Sequence, residues 1–199
     1  MSRSRELSKF SSAVASPTTA GNVLFTEDGS VWSSAPKIDG ATAAIAVSGS
    51  ADMGFAPFPS WTKRITFQFI GISTTGTSGA VLQLGTAPDY YPTWKTSGYI
   101  GAWAAAYNAT ASGAATFSSG ITINNNNAAT AIMSGMVTLT KFEGNTWVAN
   151  MSFGRSESAA LAGMTGGGYV TLDSALVAVR IVCGGTNTFD AGKVSCLYE

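Results

Sequence analysis

The chain has 199 residues, 45% of them apolar and only 11% charged, with a formal net charge of zero. A typical domain carries about 25% charged residues, so Ser, Thr, Asn and Gly have to cover this surface. Neutrality gives no reason to expect nucleic-acid or membrane binding. The complete lack of histidine excludes His-based acid–base chemistry, Ser-His-Asp and Cys-His nucleophile systems, and His metal sites.

Residues 1–20 read as an extended N-terminal arm. Arg3, Arg5 and Lys9 make its first half basic, and Leu7 and Phe10 stand three apart, a spacing that suits one or two amphipathic helical turns. There is no apolar h-region, so this is not a secretory signal, and no run in the chain reaches membrane-spanning length. Ser11 to Ala20 is Ser/Ala/Thr with Pro17 and has no core-forming pattern. Residues 21–54 follow as a hairpin and a connector. In GNVLFTEDGSVWSSA, Val23-Leu24-Phe25 and Val31-Trp32 flank Asp28-Gly29, a tight-hairpin signal. Such a hairpin is not stable alone and has to lean on other structure. Pro36 to Met53 is small and polar, with Ile45 and Val47 its branched apolar residues; it predicts a weak first strand and a boundary near Phe55.

Residues 55–199 predict a run of short strands. Ile65, Phe67 and Phe69 alternate with Arg64, Thr66 and Gln68, the period-two pattern of a strand with one buried face. Gly71 to Gly79 reads as a loop, Val81 to Leu84 as a strand, and Phe117 to Ile123 as another, with Asn124 to Asn127 as a polar tip. Pro88 to Tyr107 is aromatic-rich and reads as a loop with one strand near Tyr99 to Trp103. Met136 to Phe142 and Thr146 to Phe153 predict a hairpin turning at Glu143-Gly144-Asn145, with Trp147, Ala149, Met151 and Phe153 on one face. Tyr169 to Leu172 follows a triple glycine. The final stretch alternates twice, at Val177, Val179, Ile181 and Cys183 and again at Val194, Cys196 and Tyr198. With TNTFDAG between them, these segments predict a terminal hairpin. The chain's two cysteines, Cys183 and Cys196, sit one on each arm. They could face one another as a disulfide, but with no export signal two buried thiols fit better. About eight strands and almost no helical periodicity predict an all-β fold, an antiparallel β-sandwich of jelly-roll type.

Chemistry-bearing residues are few. The eleven Asp and Glu form no catalytic motif and no Asp-x-Asp loop; Asp28, Glu143 and Asp190 sit in turn contexts, while Asp89 and Asp173 are isolated. The strongest signal is the ring cluster Tyr90, Tyr91, Trp94, Tyr99, Trp103 and Tyr107. Flat rings with polar handles suit sugar faces, with Asn108 as a hydrogen-bonding neighbour, but core or subunit-interface burial suits them better.

The opening MSRSRELSKF followed by GNVLFTEDGSVW resembles the N-terminal region of tailed-bacteriophage fibre and other virion surface proteins, whose repeated units often carry a G-N-V-L, D-G, W pattern. The stretch from WTKRI at Trp61–Ile65 to TFDAG at Thr188–Gly192 and the closing LYE is similar to β-sandwich domains of phage tail-fibre or structural proteins. The resemblance spans most of the chain. It implies a non-enzymatic virion component, a homotrimer exposed on the particle surface after assembly in the host cytoplasm, with no catalytic residue, metal or cofactor to carry over. The basic arm would then anchor to another virion protein through Arg3, Arg5, Leu7, Lys9 and Phe10. Tyr90, Tyr91, Trp94, Tyr99 and Trp103 would be the candidate contact for a host surface glycan. Host attachment as a tail fibre is the leading role. A capsid decoration protein (head fibre or cement) is the alternative, one that a chain of this length fits comfortably. A polysaccharide-cleaving spike is the third reading.

Overall fold

A computed structural model describes residues 23–27, 31–35, 40–41, 45–46, 49–86, 92–107, 111–124, 128–157 and 160–199. Among these there is no helix. The strands are β1 (Val23–Glu27), β2 (Val31–Ala35), β3 (Gly40–Ala41), β4 (Ile45–Ala46), β5 (Asp52–Phe55), β6 (Arg64–Thr74), β7 (Ala80–Thr86), β8 (Thr93–Trp94), β9 (Ile100–Tyr107), β10 (Ala111–Thr116), β11 (Ile121–Asn124), β12 (Ile132–Lys141), β13 (Thr146–Glu157), β14 (Ala160–Thr171), β15 (Leu176–Cys183) and β16 (Phe189–Tyr198).

The chain divides into two units, Met1–Asp39 and Gly40–Glu199. The first contains the predicted hairpin, β1 pairing antiparallel with β2 from Val23↔Ala35 to Glu27↔Val31. The second is a β-sandwich of two antiparallel sheets. The large sheet runs β10-β9-β14-β13-β12-β6-β16-β3, with β4 also on β16; the small one runs β11-β7-β15-β5, with β8 also on β7.

Alternation decides which face each strand buries. On β6, Ile65, Phe67 and Phe69 are buried and Gln68 and Ile70 are exposed; on β13, Trp147, Ala149, Met151 and Phe153 all point inward. The inner faces of the two sheets make one core, and an edge-to-face contact between Phe55 of the small sheet and Phe67 of the large one, centroids 5.1 Å apart, joins them. Each such Phe, Leu or Ile contributes roughly 1.5–3 kcal/mol through burial. Glycine shapes the β9–β14 part of the sheet. Gly101 lies opposite Gly168, and a Cβ on Gly168 would fall 2.3 Å from the Ile100 carbonyl oxygen and 3.0 Å from the Phe117 ring. The buried Phe117 therefore occupies the space that side chains on these two glycines would fill.

Several expectations are corrected. The sandwich begins at Gly40 rather than near Phe55, because β3 and β4 pair with β16 and β5 pairs with β15. The strand at the ring cluster is longer than Tyr99 to Trp103: Ile100 to Tyr107 is all β9. The segment 117–123 is strand only from Ile121. β6 runs through Gly71, whose φ of 64° marks a bulge, as far as Thr74. The 136–153 hairpin is present as β12 and β13. The last two strands are not a hairpin. β15 belongs to the small sheet, on β7 and β5, and β16 to the large sheet, on β6. The connection at 184–188 is an arch between layers about 10 Å apart, and the β6–β7 connection at 75–79 makes the same crossing beside it. The two arches are tied by Thr75 N–H to the Thr188 carbonyl at 2.9 Å and Gly184 N–H to the Gly79 carbonyl at 2.8 Å. Each strand buries its inward residues on its own sheet, which a two-stranded ribbon could not do. Cys183 and Cys196 thus sit in different sheets, both buried and neither in a disulfide.

Candidate functional site

Of the predicted glycan-contact residues, the structure brings one to an accessible position. Tyr90 and Tyr91 lie outside the described residues, as do the anchoring residues Arg3, Arg5, Leu7, Lys9 and Phe10, together with Asn108, Asp28 and Asp89. Tyr99 and Trp103 are buried and leave the candidate surface. The physical reason is packing. Trp103 faces inward on β9 opposite Gly166, where a Cβ on the glycine would stand 2.7 Å from the Trp103 Cβ. Tyr99 turns its hydroxyl into the fold. That hydroxyl accepts from the Leu84 N–H at 2.9 Å and donates to the Lys95 carbonyl at 3.1 Å. Burial pushes the phenol up to about 12, against the lowering influence of the Leu84 N–H and the Arg180 charge. Tyr99 pins segment 92–99 to the small sheet.

Trp94 is half-buried on the outward face of that sheet. β8 places it, pairing Trp94 with Gly85 and Thr93 with Thr86, and the Lys95 N–H donates to the Leu84 carbonyl at 2.9 Å. The ring covers Gly85, where any Cβ would come within 2.7 Å of its Cζ3 atom. The Arg180 guanidinium carbon lies 4.8 Å from the ring centroid, a cation–π distance. Arg180 Nε donates to Gln83 Oε1 at 2.8 Å, and Gln83 Nε2 donates to the Ser119 carbonyl at 2.7 Å. Gln83 is buried and both ends of its amide are engaged, so it holds Arg180 in place. On the other flank of Arg180, its cross-strand neighbour Gly54 has open space where a side chain would stand. Lys95 Nζ pairs with Asp173 at 3.1 Å, an exposed bridge of small energetic weight.

Trp94 and Arg180 therefore form a ring-and-cation platform beside the glycines Gly54 and Gly85. A pre-positioned guanidinium suits hydroxyl and carboxylate acceptors, and the half-buried ring beside it adds apolar contact area. Arg180 and Gln83 were not singled out from the sequence. The available signal was a lone arginine in the apolar strand ALVAVRIVC, which needs a partner to sit there. The carboxylates serve as local ties, with Asp173 on Lys95 and Asp190 accepting from Ser73.

No protein-family model, curated protein or solved structure matches the chain.

Proposed function

We propose that this chain is a non-enzymatic surface component of a tailed-phage particle, a homotrimer that attaches the particle to its host. The observation that carries this reading is the division of the chain. The GNVLFTEDGSVW segment, which bears the phage-fibre resemblance, supplies β1 and the start of β2, and the two strands pair as a hairpin in their own unit. It precedes an all-β sandwich on a chain with very few charges. In this scheme the basic arm anchors to another virion protein, and the Trp94–Arg180 platform touches a host surface glycan. One such contact contributes on the order of 1 kcal/mol beyond area burial, so useful adhesion comes from repetition across the trimer.

Capsid decoration is the second reading. What favours it is that residues 40–199 make one compact unit, with no repeated shaft among the described residues. Immunogold electron microscopy of particles from the phage carrying this sequence separates the two. Label at the tail supports attachment, label over the head supports decoration, and unlabelled particles overturn both. At the platform, Trp94→Ala is expected to reduce adsorption to host cells with little change in melting. Unchanged adsorption would remove Trp94 from the contact.

A further inference from the structure

The outward face of the large sheet belongs to no site described so far. Its cross-strand registers place outward residues in rows across six neighbouring strands, β9, β14, β13, β12, β6 and β16. One row is Ala104–Thr165–Ser152–Met136–Gln68–Ser195. The next toward Arg64 runs from Ala102 through Asn150 to Leu197 in the same way, and neither row contains a charged residue. Charge appears only at the ends of the face, at Arg64, which pairs with Glu199 at 3.1 Å, and at Lys193 beside Ile70. In these two rows the β9–β14–β13 side is Ala, Gly, Ser and Thr apart from Asn150, and the row beyond the second adds the paired, exposed Ile100 and Tyr169. Within the β12–β6 side lie three of the chain's most exposed large apolar residues, Ile70, Ile132 and Met136, at 68%, 48% and 47% exposure.

We infer that copies of this chain meet through this face. Two features select a second copy as the occupant. The first is area. About four rows on six strands, at roughly 4.8 Å between strands and 6.8 Å between same-face residues, give about 800 Å², the share one partner contributes to a stable interface of standard size. The second is charge. A face with neutral central rows offers nothing to a nucleic acid or a charged partner, but it meets its own kind without leaving a charge unpaired in a dry contact. Small side chains let the backbones approach closely, and Ile70, Ile132 and Met136 supply the apolar centre that interfaces concentrate. The inference rests on the trimer reading above and adds the surface that makes the trimer: around the threefold axis each copy turns one half of this face to one neighbour and the other half to the second.

The test is the mass of the full-length protein by sedimentation equilibrium at micromolar concentration. Wild type is compared with Met136→Arg, with Ser152→Arg, and with the control Asp52→Arg on the outward face of the small sheet. The expected result is an oligomeric wild type and control, and monomers for the two face variants, their association weakened by at least about 100-fold. All four proteins should melt cooperatively, because each substituted position is exposed. Face variants that keep the wild-type mass would overturn the assignment of this surface while the trimer reading stood. A monomeric wild type would overturn both. Immunogold location does not depend on either result, so the particle assignment is tested separately.

Discussion

Trp147 is 2% exposed and faces the core from β13. Trp147→Ala is expected to destabilise the sandwich by about 3–5 kcal/mol, the cost of emptying a large aromatic site. Its indole Nε1 has no hydrogen-bond partner among the described residues, and a buried unpaired donor is itself unfavourable. Trp147→Phe should therefore cost clearly less than the alanine change, and urea unfolding of both variants checks the order. The same core makes the thiols inert. Burial pushes Cys196 up to about 12, and burial with the Asp190 carboxylate pushes Cys183 up to about 11. Folding raises these values, so the protonated forms are favoured in the native state. Their stabilising contribution is complete below the ordinary thiol value of 9.0 and is lost as pH climbs through about 11 to 12. Stability should thus fall from pH 9 upward, with buried Tyr99 adding to the slope above its ordinary 10.0. Urea midpoints in mildly and strongly alkaline buffer would show it, and a Cys183→Ala/Cys196→Ala double variant should flatten the decline.

At the scale of elements, the least regular-looking segments turn out to be central. β14 includes three consecutive glycines yet sits between β13 and β9. Gly168→Ala should cost about 1–3 kcal/mol, because the new Cβ meets backbone at 2.3 Å and 2.7 Å that has little room to yield. A melting temperature equal to wild type would show that the β9–β14 pair relaxes freely. This segment also explains what could be read from sequence. The strands β6, β12 and β13 were legible because bulky inward residues alternate with polar ones. β10 and most of β14 were not, because Ala and Gly carry neither β-propensity nor a clear period, and their pairing depends on rings such as Trp103 and Phe117 supplied from elsewhere. Half of the candidate site was equally hidden. Trp94 stood out as a ring, but Arg180 reaches it across the sheet from a strand 86 positions away in sequence. The terminal hairpin was misread for a related reason: alternation shows that two strands exist and which residues they bury, not which sheet each joins.

For the whole molecule, the division at Asp39/Gly40 makes deletion of residues 1–20 a direct test of the proposed anchor. The shortened protein is expected to fold with an unchanged melting transition and to be missing from purified particles. Insolubility, or normal incorporation, would refute the anchoring role.

The separation of β15 from β16 also has a consequence for biosynthesis. β6 emerges early from the ribosome, yet its partner on one side is β16, with Tyr198 opposite Ile65 and Cys196 opposite Phe67. Until residues 189–198 have been made, the nascent sheet presents β6 as an open hydrogen-bonding edge beside exposed Phe67 and Phe69. Closing it requires contacts of high sequence separation, which form slowly. During that interval neighbouring nascent chains compete for the edge. Slowing translation within β16 should therefore lower the soluble yield more than the same pause placed before Arg64, when β6 has not yet been made.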